Sequence, residues 1–459
     1  MDFIDIPHLD DLPALSRTIP NFTVAVGALV VLCGALFVVA FARRWSPRLW
    51  VSIAVALVVR AFAVWMSYGH TPRDVAAHFQ RAGELIMAGA DPMTHMPDFR
   101  WNFLPFMPLV FAAELKTGIT WEFSSKIVPV LADVALVAIL ARLGGAEHGR
   151  KVALLYALCP LAFLVSAVHG QVEPVTLALG VGGYLAARRQ RPGWAGVLVG
   201  LAIAAKTWPA VLVPGLLREL PVRRWWAALA GVVAMPLLFL LMIPFVLHDS
   251  LVEAVKVLTG YRSLVGRWGW AGVGHNFEWV GLGYQGQGID VAQRIGTLLT
   301  AVTVIAVIAL LWRRGDGIVL TAGIMLAFFA VTAGFGVQYL LWPVPFLLLL
   351  RRATGIVFVS LASAYAATFY LLYEVMPELN PVLDDLLPWT SLIVIAAGLV
   401  ALPWRGPASP RPPDPAEPPR SSGPPEPPRS SGPPGSARET GPASRFRGEP
   451  TPAADPSYT

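Results

Sequence analysis

"TPRDVAAHFQRAGELIMAGADP", residues 71–92, follows directly on an apolar run and sets a carboxylate, a histidine and two arginines where that run ends. The stretch reads as the opening of a polar loop at a membrane surface, and the composition agrees. With 55% hydrophobic residues, 14% charged residues, sixteen tryptophans in 459 residues and a positive mean hydropathy, the chain does not describe a soluble globular enzyme. It predicts an all-α, polytopic membrane protein.

Apolar segments fit to cross a hydrocarbon core recur at 22–42, 49–68, 122–141, 152–168, 172–187, 224–247, 294–312, 317–334, 336–350, 353–373 and 388–404. Two more are expected within 193–217, where Lys206, Pro209 and Pro214 interrupt "AGVLVGLAIAAKTWPAVLVPGLL" and predict a hairpin of broken helices. The expectation is about thirteen transmembrane helices, within a range of about eleven to thirteen. Cys33 and Cys159 both fall inside apolar segments and make no disulfide framework. Asp2, Asp5, Asp10 and Asp11 stand where a cleavable signal peptide would carry basic residues.

Basic residues fall on alternate loops, as the positive-inside rule requires. Those loops hold Arg43, Arg44 and Arg48; Arg142, Arg150 and Lys151; Arg188, Arg189 and Arg191; Arg218, Arg223 and Arg224; Arg313 and Arg314; and Arg351 and Arg352, against Glu147, Glu219 and Asp316 alone. Placing them in the cytoplasm of a multi-pass plasma-membrane protein puts the N-terminal segment 1–21 outside, with outer loops at 69–121, 248–293 and 374–387 of a transmembrane domain spanning 22–404. The remainder, 405–459, holds 17 of the 41 prolines and a tandem "EPPRSSGPP" at 417–425 and 426–434. It cannot bury a core and is expected to be a disordered cytoplasmic tail.

On this topology the unusual polar residues gather on the outer side. "HGQVEP" (169–174) puts His169, Gln171 and Glu173 at a short outer turn. Lys206 sits at the tip of the broken hairpin, Gln338 and Tyr339 at another turn, and Arg262, Arg267, His275, Asn276 and Glu278 in the largest late loop. Ionisable groups at such depth are costly unless paired or hydrated, which makes them functional candidates. Simpler readings stand beside these: turn hydrogen bonding for His169 and Gln171, snorkelling for Lys206, and an aromatic belt for Tyr339, Trp268, Trp270 and Trp279. Asp133, in mid-span, is expected to pair with a neighbouring helix.

The opening stretch also has two readings. Thr71 as N-cap, Pro72 at the first helical position and Asp74 at the third would start a helix whose Val75, Phe79, Ala82 and Ile86 face the membrane. Asp74, His78 and Arg81 would share another face, turned toward the outer loops. Capping accounts for Asp74 but not for its companions.

This order of features resembles the GT-C superfamily of integral-membrane glycosyltransferases, especially actinobacterial mannosyltransferases that use polyprenyl-phosphate mannose, over roughly residues 60–350. The matching elements are Asp74 at the end of a span, "GADPM" (89–93), "WNFLPFMP" (101–108), "HGQVEP", the broken hairpin and "VQYLLWPVP". The chain departs at Glu173, where relatives commonly carry aspartate, and around Trp101; an extra span precedes the usual first one. The resemblance implies Asp74 as the catalytic base of an inverting transfer. It also implies substrate-binding roles for His78, Arg81, His169, Gln171, Glu173, Lys206, Arg262, Arg267, His275, Asn276, Gln338 and Tyr339. The partners implied are a polyprenyl-phosphate sugar donor, the bilayer, and an extracytoplasmic glycolipid, glycan or protein acceptor, with no nucleic acid. No zinc, dinucleotide or P-loop motif is present, so no cofactor is expected; a divalent metal between Asp74 and Glu173 is compatible with the sequence but not argued by it. The rival is a multi-pass transporter or lipid flippase, which the one-sided polar groups disfavour.

Overall fold

The computed structural model describes residues 20–96, 101–260, 265, 268–276, 287–313, 316–350 and 352–404. The N-terminal segment, Arg262, Arg267, Glu278 and the proline-rich tail lie outside the described residues. The described chain is all-helical and holds seven helices long and apolar enough to cross a membrane, or eight if one bent pair counts as a span.

In chain order these are α1 (Asn21–Ala42) and α2 (Leu49–Met66); α3 (Gln80–Met87) and α4 (Phe106–Leu115) in the first polar segment; then α5 (Trp121–Leu143). The bent pair follows, α6 (Ala146–Leu158) and α7 (Pro160–His169), set at 53°. Next come α8 (Glu173–Arg188), α9 (Pro192–Ala205), α10 (Val213–Arg218) and α11 (Trp225–Val246). The last group is α12 (Leu251–Gly260), α13 (Gly269–Asn276), α14 (Gln287–Leu311), α15 (Gly317–Val331), α16 (Val344–Leu349), α17 (Ala353–Thr368) and α18 (Asn380–Ala401).

The number of full spans falls below the thirteen expected because several apolar segments are short or interrupted. α8 has 16 residues, about 24 Å of helix, less than a hydrocarbon core of roughly 30 Å. The segment at 336–350 breaks into a 3-10 turn and the six-residue α16 at Pro343. The hairpin at 193–217 is broken, as its prolines predict, at Lys206 and through a 3-10 turn at Trp208–Leu212. α18 starts at Asn380, inside the expected outer loop 374–387, because Asp384, Asp385 and Pro388 hide its first turns from a hydropathy reading.

Small residues allow close packing where apolar attraction between helices is weak. α9 and α11 meet through Gly196, Gly200 and Gly231; a Cβ on Gly196 would lie 1.9 Å from the Ala228 carbonyl oxygen.

At the centre, Pro160 breaks the pair α6–α7. Proline has no N–H for the Tyr156 carbonyl, which keeps only a 3.2 Å bond from the Cys159 N–H, and bends the chain away from the Ala157 carbonyl. The guanidinium of Arg60, on α2, donates to both, at 3.3 Å and 2.5 Å. The Leu161 N–H freed by the same bend donates to Ser363 Oγ at 3.2 Å. Arg60 Nε also donates to Asp133 Oδ2 at 2.9 Å, and Asp133 accepts further bonds from Tyr156 Oη (2.6 Å) and Ser166 Oγ (2.9 Å). Arg60 and Asp133 are both fully buried. Asp133 therefore pairs with a neighbouring helix, as its mid-span position predicts.

Breaking a buried pair by removing one partner costs about 3–5 kcal/mol, because the other charge is left without compensation. Arg60→Met and Asp133→Leu should each lower stability by about that much in thermal unfolding of the detergent-solubilised protein. The double variant should lose clearly less than the sum; an additive loss would show that the two do not act as a pair.

Candidate active site

The site forms where α3 begins, where the α7–α8 turn projects, and where α17 ends. Each of these places carries a π-helical turn: Val75–Phe79, Leu164–His169 and Phe369–Tyr373. They are the three π-helical turns among the described residues, and all three border one cluster. A π turn inserts an extra residue, weakens local bonding and re-aims side chains, which is why such turns concentrate at functional sites.

The first π turn corrects the reading of residues 71–92. Gln80 N–H bonds the carbonyl of Val75, five residues back, and Trp121 Nε1 donates to that same carbonyl at 3.0 Å. Asp74, and not Thr71, supplies the cap: Asp74 Oδ1 accepts from Val75 N–H at 2.9 Å, while the Thr71 hydroxyl is buried without a hydrogen bond. The extra residue rotates α3 relative to Asp74, so Asp74 and Arg81 no longer share a face. Arg81 instead forms an exposed pair with Glu84 at 3.2 Å. His78 feels the Asp74 carboxylate, but burial dominates and lowers its pKa. Val75, Phe79 and Ala82 pack on Met93, Trp101, Met107 and Phe111 rather than on lipid, with the Phe79 ring stacked 5.0 Å from Phe111. Burying two aromatic faces inside the protein outweighs laying them on the membrane surface.

The second π turn ends at Gly170, whose φ of 83° lets the chain reverse at once into α8. This reversal carries His169 and Gln171 onto Asp74. Gln171 Nε2 donates to Asp74 Oδ2 at 2.6 Å and lies 3.0 Å from His169 Nδ1. A carboxylate only accepts, so the group facing Asp74 is the amide nitrogen, and its second hydrogen points at Nδ1. His169 therefore carries its proton on Nε2, which lies 3.6 Å from Asp74 Oδ1 and 3.8 Å from Glu374 Oε1. Glu374 follows the third π turn, and Tyr370 of that turn packs on the His169 ring with centroids 4.8 Å apart.

Beside this cluster, Lys206 at the break of the hairpin donates to Glu173 Oε1 at 2.5 Å, both side chains being buried. Its ammonium also lies 4.9 Å from the Tyr339 ring and 5.3 Å from the Phe103 ring. Tyr339 stacks on Trp342, which stacks on Trp208 at 4.1 Å. Lys206 and these four rings, with Asn102, Gln338, Trp268, Phe369 and Tyr373, line a cavity of about 600 Å³, behind which Glu173 holds the Lys206 ammonium. Snorkelling does not describe Lys206, whose charge is held by a buried carboxylate and two aromatic faces.

The structure thus brings together Asp74, His169 and Gln171 in one cluster, and Glu173, Lys206, Gln338 and Tyr339 around the adjoining cavity. It leaves Arg81 outside. Arg262 and Arg267 lie outside the described residues; His275 and Asn276 end α13, with side chains that are likewise outside the description. Glu374 was not singled out from the sequence, although an acid directly after an apolar run was the available signal. Lys126 was missed too: it is buried inside α5, donates to Ser67 Oγ at 2.9 Å, and its Cγ would lie 3.4 Å from a Cβ on Gly170. Among the described residues no three His, Cys, Asp or Glu side chains are grouped to hold a metal ion.

The segment carrying Asp74 is tied to the later part of the chain through Asp249. Its Oδ2 accepts from Thr94 Oγ1 at 2.6 Å and lies 3.0 Å from His95 Nδ1. Partial burial pushes the Asp249 carboxyl up, but bonds from Thr94 and from the Ser250 and Asp91 N–H groups, with the charge of His95, bring it below its ordinary value. Asp91 behaves oppositely: burial, opposed by the Met93 N–H and aided by Asp249, raises it to about 6. A carboxyl raised on folding destabilises the fold as it ionises, so this contribution worsens as the pH rises from about 4 to about 6 and stays constant above. Asp91→Asn should therefore raise the unfolding free energy at pH 7.5 by about 1–3 kcal/mol and leave it nearly unchanged at pH 4. An equal shift at both pH values would remove ionisation as the cause.

No protein of curated function matches the chain. A family profile does match, that of glycosyltransferase family 87, over residues 102–334. The matched segment contains the His169–Glu173 turn and Lys206, and it begins after Asp74, which the fold docks onto it through Gln171. Since the match spans half of the 459 residues, the chain belongs to glycosyltransferase family 87, a family of GT-C-like membrane glycosyltransferases.

Proposed function

We propose that this membrane glycosyltransferase moves a mannosyl unit from a polyprenyl-phosphate donor to a glycolipid, glycan or protein acceptor outside the plasma membrane, inverting the anomeric centre, with Asp74 as general base. The observation that carries this reading is the fixing of both Asp74 oxygens, one by the Val75 N–H and one by the Gln171 amide, beside an aromatic cavity. A carboxylate held in this way stays oriented for one incoming hydroxyl.

In the proposed step the acceptor O–H donates to Asp74 while its oxygen attacks the anomeric carbon. The bond from that carbon to the phosphate oxygen breaks on the opposite face, the polyprenyl phosphate leaves with the electron pair, and Asp74 keeps the proton. The Nε2–H of His169 faces Asp74 and Glu374 and steadies the negative charge between them. Trp342 is sandwiched between Trp208 and Tyr339, so the stack offers its outer faces, that of Trp208 above all, to the sugar and the first isoprene units. The ammonium of Lys206 is already matched by Glu173, so most of the charge on the leaving phosphate falls to other cations; Arg262 and Arg267 are our candidates. The N-terminus outside and the tail inside complete the proposed topology. The transporter reading has no observation in its favour to set against the family membership.

Membranes containing the protein should transfer radiolabel from polyprenyl-phosphate mannose to an extractable or polymeric acceptor, and should not do so from a nucleotide-linked mannose once lipid-linked sugar synthesis is blocked. Label passing directly from the nucleotide sugar would overturn the donor assignment. Label passing instead from another polyprenyl-linked sugar would keep the donor class and replace mannose.

A further inference from the structure

At the end of the bundle opposite Asp74, the antiparallel helices α1 and α17 leave a seam between them. The seam holds one cavity and opens, at its basic end, into another that it shares with the start of α6. The one at the basic end, of about 770 Å³, is lined by Arg44, Lys151 and Arg352 over an apolar floor that includes Phe41, Leu347 and Ile356. The other, of about 530 Å³, lies between α1 and α17 and is almost wholly apolar, with Val30, Gly34, Val38, Ser360 and Ala364 among its walls.

The charges at the basic end are unbalanced. Glu147 is the one acid in the lining, and it is engaged by Lys151 at 2.7 Å. Among the described residues neither Arg44 nor Arg352 makes a side-chain hydrogen bond or ion pair, and both are exposed. Two guanidinium groups lining one cavity, with an almost wholly apolar cavity farther along α1, suit an amphiphile whose anionic head accepts from arginine. The length agrees. From Arg44 back to Val30 α1 rises roughly 20 Å, enough for a headgroup and the roughly 15 Å of one leaflet's hydrocarbon.

We propose that this seam binds one anionic phospholipid of the leaflet at the arginine-rich end, its phosphate held by Arg44 and Arg352 and an acyl chain lying between α1 and α17. Charge complementarity selects the occupant, since a zwitterionic headgroup would bring a second cation against the two arginines. The small residues Gly34, Ser360 and Ala364 keep the channel open, and Pro160 at its wall places the chain against the break between α6 and α7. The site is separate from the transfer chemistry and does not depend on the donor assignment.

The test is binding to the full-length protein, delipidated in a neutral detergent, of dioleoyl phosphatidylglycerol, dioleoyl phosphatidylcholine and inorganic phosphate, counted by native mass spectrometry. Phosphatidylglycerol should bind roughly tenfold or more tightly than phosphatidylcholine, and millimolar phosphate should not displace it. The Arg44→Gln/Arg352→Gln variant, changed only at exposed positions, should lose that preference. Ala364→Trp, which fills the channel from an exposed position and leaves the charges intact, should weaken both lipids. Equal phosphatidylglycerol binding by wild type and the double arginine variant would overturn the proposal. So would an undiminished affinity in Ala364→Trp, or displacement by phosphate, which would make the socket a free-anion site.

Discussion

The site rests on one substitution of hydrogen-bond donors. Pro160 removes the helical N–H partner of the Tyr156 carbonyl, which is left with a 3.2 Å bond from the Cys159 N–H, and the 53° bend strips the Ala157 carbonyl. In hydrocarbon an open carbonyl would cost several kcal/mol. The guanidinium of Arg60 takes both, and Asp133 balances its charge. With the break satisfied, α7 can leave the axis of α6 and carry His169, Gly170 and Gln171 toward the start of α3, where Asp74 waits. A straight helix through Pro160 would send that turn elsewhere.

The same economy recurs at the surface of the cluster. Three helices end or begin there with π turns, and each turn sacrifices regular bonding to aim a polar group: Asp74, His169 and Glu374. Gln171 then joins the pieces, one amide nitrogen serving both the carboxylate and the imidazole. Lys206 and Glu173 form a second, neutral unit at the neighbouring cavity. The oriented carboxylate of Asp74 stands apart from a compensated ion pair, which gives the site an anionic side and an aromatic side, suited in the proposed reaction to a hydroxyl and to a sugar.

Much of this was legible from residue order. Apolar runs located α1, α2, α5, α11, α14 and α17, because a long hydrophobic stretch without charges has few other uses. "HGQVEP" and Lys206 were found because polar groups in such company demand an explanation. The geometry was not legible. A 3.6-residue period put Asp74, His78 and Arg81 on one face, and a π turn, which has no sequence signature, undid it. Thr71 looked like the cap, but its hydroxyl makes no hydrogen bond, and Asp74 takes the Val75 N–H. Glu374 was passed over because it becomes meaningful only when Tyr370 brings its turn against His169, 201 residues away from Tyr370 in sequence and within one ring contact in space. α18 was shortened in the reading by Asp384, whose carboxylate is in fact held by Tyr373 Oη at 2.9 Å.

The central claim is that the carboxylate of Asp74 takes the acceptor's proton. Its most direct measurement is sugar transfer by equally expressed wild type, Asp74→Asn and Asp74→Glu under single-turnover conditions. Asparagine keeps the size and the bond to the Val75 N–H but cannot accept a proton, so the account predicts a fall of roughly a hundredfold or more in the transfer rate, with partial activity in the glutamate variant. Transfer by Asp74→Asn at the wild-type rate would contradict the account and leave Asp74 as the cap of a π turn.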